Sequence, residues 1–303
     1  MGHGSYTASD WSKLRNSRGI KTAGELKVSG TTQKVEEVFV RRTIDPRFDP
    51  RYINVREARD SEDHPNSTPV IIGLDVTASM GYLSQKIASE ALNELMLKLY
   101  STEPIEDPAL MFAAYGDFED AAPLQVTQFE SDIRIAEQLL DLWFVNCGSG
   151  LVTPNLLWYF AAKHTSLDSY EKHDKKKGFI FTIGDNADCR VNNMRRCFES
   201  TFGEEVEGET REYLNAAKEK FEIFHIAIGG TPIRINQMLP GHLIVINKED
   251  IDELPEIIIS AMEMNNGKTL EETASQWPEL KIPVVKRALA NVTVGNSKKG
   301  FFF

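Results

Sequence analysis

Five short apolar runs constrain this chain more than anything else in it: Val70-Ile71-Ile72-Gly73-Leu74 and residues 109–115, 178–183, 221–228 and 243–246. Most are continuous rather than alternating, as expected of strands buried on both faces. The stretches between them are patterned as helices. From about residue 80 to 99, Leu83, Ile87, Ala91, Leu95 and Leu99 recur at four-residue steps, with Leu92 and Met96 widening the stripe. Ser131 is placed to cap a helix running to Trp143, with Ile133, Ala136, Leu139 and Leu140 facing inward. Further helices are expected at 156–164, at 204–220 as a polar surface helix, and at 249–264. A short antiparallel edge strand is expected at 124–129. Strands alternating with helices predict an α/β fold: an open, mostly parallel, doubly wound sheet with helices on both faces. In such sheets the chemistry sits at the carboxyl ends of the strands.

The flanks read differently. Residues 1–66 are expected as a basic, extended arm, 67–265 as the α/β domain and 266–303 as a tail. The arm is poor in apolar residues, with one short strand expected at 35–40. It contains a repeated unit, Asp45-Pro46-Arg47-Phe48 and Asp49-Pro50-Arg51-Tyr52. Each proline biases its preceding Asp toward extended backbone. Arginine–aromatic pairs suit docking, either on the chain's own body or on a neighbouring molecule, another copy in a homo-oligomer among them. In the tail, 270–277 reads as a helix and 282–290 as a strand or loop. Phe301, Phe302 and Phe303 would form an adhesive patch if exposed, so docking into a groove of this chain or a partner is expected.

Charge is distributed in the same three parts. Residues 1–60 carry 12 Lys/Arg against 8 Asp/Glu and residues 267–303 carry 6 against 3, whereas 61–266 carry 16 against 34, a net of −18. Such a body repels phosphates, so no nucleic-acid partner is expected. Cations and basic surfaces are favoured, though acidity also serves solubility alone. No apolar run approaches the roughly 18–20 residues that cross a bilayer, and no membrane role is expected. The start lacks a secretory apolar region, and Tyr6 stands where myristoylation wants Ser or Thr. Three cysteines, Cys147, Cys189 and Cys197, suit a reducing cytoplasm rather than a disulfide framework. The sequons at Asn66 and Asn291 then read as chance matches. The six histidines show no zinc-site spacing.

The first strand runs into Asp75-Val76-Thr77-Ala78-Ser79-Met80-Gly81, a carboxylate followed by hydroxyls two and four residues on, at a strand-to-helix turn. A sharp turn lets alternate side chains converge. Hard oxygen donors suit Mg²⁺, Mn²⁺ or Ca²⁺, and neutral hydroxyls leave the ion electron-poor and open to an outside anion. The bland alternative is a capping turn, in which Thr77 and Ser79 satisfy helix amides. Asp117, Glu119 and Asp120, after another strand, either rim the site or form a solvated acidic loop.

Asp75-Val76-Thr77-Ala78-Ser79 resembles the Asp-x-Ser/Thr-x-Ser motif of von Willebrand factor A domains, over roughly residues 68–265. That family's metal-ion-dependent adhesion site adds a Thr from a second loop and an Asp from a later central strand. The resemblance places the second Asp at Asp185, in Thr182-Ile183-Gly184-Asp185, two positions beyond its place in many members. It places the Thr at Thr153, before Pro154 in the loop from Asn146, with Ser149 as the alternative. The implied metal ligands are Asp75, Thr77, Ser79, Thr153 and Asp185. Tyr115-Gly116-Asp117, residues 123–132 and 181–185 also resemble uncharacterised von Willebrand A proteins of tailed bacteriophages and prophages.

Other motifs fail. Gly267-Lys268-Thr269 lacks the earlier glycine of a phosphate loop, because Met262 stands there. Asp75-Val76-Thr77 lacks the second carboxylate of an aspartyl phosphatase. There is no Gly-x-Ser-x-Gly elbow, and Lys175-Lys176-Lys177 reads as a solvated loop. The expectation is therefore a non-enzymatic, Mg²⁺-dependent protein-binding module whose partner presents an acidic side chain. The alternatives are a phage virion or assembly component working through its arms and, third, a metal-dependent phosphohydrolase.

Overall fold

A computed structural model describes residues 4–117, 119–144, 152, 154–185, 195–206 and 208–293. Its strands are β1 (Arg56–Ala58), β2 (Thr68–Asp75), β3 (Pro108–Tyr115), β4 (Leu124–Val126), β5 (Thr165–Leu167), β6 (Gly178–Gly184), β7 (Phe221–Ile228) and β8 (Leu243–Ile246). Six of them form one sheet in the order β4-β3-β2-β6-β7-β8, in which only the edge strand β4 is antiparallel. β1 and β5 form a separate parallel pair. The fold is thus an open, mostly parallel, doubly wound α/β sheet. Every residue of β2, β3 and β6 is buried, which is why these runs are unbroken rather than alternating.

Two apolar layers cover the sheet. On one face Val70, Ile72, Leu74, Phe181, Phe224 and Ile226 pack with Leu95, Leu99, Ile258 and Met262. On the other, Ile71, Met111, Ile180 and Ile223 pack with Leu157, Trp158, Phe198 and Leu214. Helix Pro154–Lys163 lies so close to β2 that a Cβ on Gly73 would stand 2.6 Å from Leu157 Cδ2.

The helix after β2 is composite: Gly81–Lys86, a π-helical turn at Ile87–Ala91, then Leu92–Thr102. Steps of four residues precess by about 40° per step on a 3.6-residue helix. The wider π turn takes up part of that drift. Ile87, Ala91, Leu95 and Leu99 are all buried, and Leu83 packs at the margin.

Several local expectations are corrected. Ser131 caps no helix; its hydroxyl donates to the Gly4 carbonyl at 3.2 Å, and the helix starts at Arg134, whose N–H bonds Asp132 Oδ1 at 3.0 Å. Ile135 replaces Ile133 on its buried face. The polar stretch 204–220 is helical only over Thr210–Lys220, and it is half-buried: Tyr213, Leu214 and Ala217 pack inward, Tyr213 edge-on to Tyr159 at 4.8 Å. Residues 282–290, expected as strand or loop, form helix Ile282–Leu289, with Val285 and Leu289 buried.

The strand expected at 35–40 is instead a helical turn, Val35–Val38. Two further helices, Ala8–Ser17 and Ala23–Ser29, precede it, opened by side-chain caps from Thr7 and Thr22. They are short and each offers few buried residues, so hydrophobic period is a poor guide to them. Tyr6, Trp11, Ile20, Phe39 and Phe48 join the main core. Asp141 receives Arg18 at 3.0 Å and Arg47 at 3.1 Å, with Arg41 at 3.6 Å. The arginine-rich segment is therefore docked on the acidic body of its own chain. Residues 294–303, with the terminal phenylalanines, lie outside the described residues.

Candidate metal centre

β2 and β6 are adjacent and parallel, so Asp75 ends one strand beside the end of the other. Past Asp75 the chain turns sharply, with Met80 N–H bonded to Thr77 O at 3.1 Å. Asp75 Oδ1 accepts two hydrogen bonds from Thr77, from N–H at 2.9 Å and from Oγ1–H at 2.6 Å. Thr77 Oγ1 lies 3.3 Å from Ser79 Oγ, and Ser79 Oγ donates to Asp185 Oδ1 at 2.8 Å. The structure thus brings four of the five sequence-derived ligands into one connected row. Thr153 lies outside the described residues, as does its alternative Ser149. Its neighbour Val152 forms a β-bridge with Asp117.

Asp75 is fully buried. Burial pushes its carboxyl up to about 7; the charges of Asp185 and Asp120 push the same way, and the two Thr77 hydrogen bonds oppose them. A group in that state gains from an adjacent cation. Gly184 makes the approach of the strands possible: a Cβ there would stand 2.9 Å from both Cβ and Oδ2 of Asp75, and 3.1 Å from Tyr115 Oη.

The donor set fits a hard divalent cation: two carboxylates and two hydroxyls, all oxygen, at a strand-end crevice. Among the described residues no group of three or more His, Cys, Asp or Glu side chains is disposed to hold a metal. The fit therefore rests on the mixed carboxylate–hydroxyl set. Cys197 is buried and its thiol is pushed up to about 11, the state of an inert core residue.

Three nearby residues were not singled out as ligands in the sequence. Tyr115, in register with Asp75, donates its hydroxyl to Ile183 O at 2.9 Å and ties β3 to β6 across β2. Asp117 is buried, and its Oδ1 accepts the Glu119 N–H at 3.0 Å. Asp120 accepts the Asp117 N–H at 2.8 Å, and burial pushes its carboxyl up. The signal for them was the placement of Tyr115-Gly116-Asp117 at the end of a strand beside β2, which required the strand order to interpret.

No family model and no curated protein matches the sequence. Among solved structures the chain is similar to the open conformation of the pilus adhesin SpaC from Lactobacillus rhamnosus GG, with 8% identity over 68% of this chain and 31% of that one, at a TM-score of 0.43. It is also similar to proximal thread matrix protein 1 from the mussel byssus, with 10% identity over 69% of this chain and 48% of that one, at 0.42. Another structure of the same mussel protein, described as having a zinc-occupied MIDAS motif, aligns at 11% identity and 0.38 over the same shares. The chain thus spans about a third to a half of the length of these structures. Among the described residues, no helix is long and apolar enough to cross a membrane.

Proposed function

We propose that this chain is a divalent-cation-dependent protein-binding module of the von Willebrand A type, with its site at Asp75, Thr77, Ser79 and Asp185. The observation that carries the reading is the row of oxygens joining Asp75 to Asp185 across the carboxyl ends of β2 and β6. A cation held there, Mg²⁺ by the hardness of its donors with Mn²⁺ or Ca²⁺ as substitutes, supplies a positive centre for which an acidic partner side chain is the complement.

The residues of this chain do the rest. Thr77 orients Asp75 through two hydrogen bonds. Ser79, exposed at the mouth, holds Asp185 and faces what arrives from outside. Thr153 is proposed as the fifth ligand by the resemblance alone. The role assigned is binding without a chemical step: in this reading both hydroxyls and both carboxylates are taken up in holding the cation. The test is capture of proteins from a lysate of the source cells on the immobilised full chain, with Mg²⁺ and with chelator, beside Asp185→Ala. A partner retained only by the Mg²⁺-loaded wild type is expected. Equal retention in chelator overturns the reading.

A further inference from the structure

His164 joins three segments that are distant in sequence. It follows the helix Pro154–Lys163, and its backbone carbonyl accepts the Arg56 N–H at 2.7 Å. Its ring Nδ1 lies 3.0 Å from the Asn54 carbonyl oxygen. Its Nε2 lies 3.2 Å from Oε1 of Glu204, just beyond the helix Arg195–Phe202. The side chain is 12% exposed. The rings of Phe160 and Phe202 stack on it, with centroids at 5.3 and 5.5 Å.

Both polar partners of the ring are acceptors. A peptide carbonyl has no proton to give. Glu204 Oε1 already accepts the Tyr159 hydroxyl at 2.7 Å; burial, and then Glu204, push that hydroxyl up, so it stays the donor. A neutral imidazole has one N–H. With Nδ1–H given to Asn54, its Nε2 lone pair faces a carboxylate oxygen. Only the doubly protonated ring donates to both, and aromatic faces against it favour a cation. The charged groups on the surrounding elements are engaged elsewhere. Lys220 Nζ donates to the carbonyls of Ala162 and Thr165, at 3.0 and 2.9 Å, and with Lys163 it opposes a further positive charge. Arg51 is paired with Asp49 and Arg195 with Glu199, and the Arg56 guanidinium turns to the carbonyls of Arg47 and Val126. Glu204 is thus the carboxylate that favours the second proton.

We propose that His164 is a proton-operated clasp: the protonated ring ties the 54–56 segment and Glu204 to the helix Pro154–Lys163, and loss of the second proton frees Glu204 and loosens Arg195–Phe202. The closed clasp binds the proton more tightly than the open one, so it holds at low pH and opens as pH rises. Glu204 is 44% exposed, so water replaces the ring on release. The helix Pro154–Lys163 starts directly after Thr153, and Arg195–Phe202 is the first described element after Asp185. The clasp therefore lies at the distal ends of two elements that adjoin proposed ligands, and it works without the cation.

The test uses the full chain in chelator. Nuclear magnetic resonance of ¹⁵N-labelled imidazoles should show both His164 nitrogens protonated at about pH 5.5 and one at about pH 8, on either side of the ordinary histidine range. Hydrogen exchange, corrected for the intrinsic effect of pH, should show Arg195–Phe202 opening about threefold or more readily at the higher pH, as suits a partly exposed charged pair. Replacing His164 risks the fold, so the variant is Glu204→Gln, at a half-exposed position. Its amide N–H donates to the neutral ring, so the helix should stay closed at both pH values and the ring should keep a single proton to lower pH. A singly protonated His164 in the wild type at about pH 5.5, helix opening indifferent to pH, or the same pH response in Glu204→Gln overturns the proposal.

Discussion

Replacing Asp75 by Asn should stabilise the metal-free protein, against the usual effect of mutating a fully buried residue. An Asp carboxyl titrates near 3.8 when free, and in the folded chain it is pushed up to about 7, chiefly by burial and secondly by Asp185 and Asp120. Below about pH 4 both states hold the proton and the group is neutral in stability. Between 4 and 7 the unfolded chain releases the proton while the folded chain keeps it. The folded state then binds more protons, and stability falls as pH rises. A tenfold change in proton affinity is worth about 1.4 kcal/mol. The full displacement therefore carries on the order of 4 kcal/mol of destabilisation, complete above pH 7. Asn removes the charge while keeping an oxygen for the two Thr77 hydrogen bonds. Urea unfolding in chelator should show Asp75→Asn more stable than wild type at pH 8, by on the order of 2–4 kcal/mol, with the gap closing toward pH 4. Mg²⁺ should close the gap, since binding at a thousand times Kd adds about 4.1 kcal/mol to wild type alone. If the variant is equally destabilised at both pH values, the charge at Asp75 is not held against its solvation and the reasoning fails.

Three further outcomes follow from the same geometry. Mg²⁺ should raise the melting temperature of wild type and leave Asp185→Ala unchanged in a thermal scan; equal shifts would place the ion elsewhere. Gly184→Ala puts a Cβ 2.9 Å from Asp75 Oδ2, so calorimetry should show cation binding weakened at least tenfold, with about 1–3 kcal/mol lost from overpacking. Asp141→Ala removes the carboxylate shared by Arg18, Arg41 and Arg47; hydrogen exchange should accelerate across Ala8–Ser17, with about 1 kcal/mol lost overall because these pairs are partly exposed.

The sheet was legible because its strands are buried on both faces: β7 and β8 fall at the boundaries that the apolar runs mark. The Asp75 turn was legible for a related reason, since a carboxylate and two hydroxyls at alternate positions converge where a fully buried strand ends in a sharp turn. Its union with Asp185, 106 residues beyond Ser79, became readable only through the family resemblance, because spacing cannot show which strands are neighbours. The amino-terminal helices escaped because each of them buries little. Their order comes from caps and from docking by Trp11 and Tyr6, which is tertiary information. Ile282–Leu289 escaped because two β-branched residues after a proline read locally as extended, while burial of Val285 and Leu289 favours the helix.

The central claim is that oxygens of Asp75, Thr77, Ser79 and Asp185 surround one divalent cation. Anomalous diffraction from crystals of the full chain grown with Mn²⁺ tests it most directly. A single peak between Asp75 and Asp185, with Ser79 Oγ about 2.1 Å away as octahedral hard-cation coordination requires, is the predicted result. A peak elsewhere, or none, with the Ser79–Asp185 hydrogen bond intact at full Mn²⁺ concentration, would contradict it.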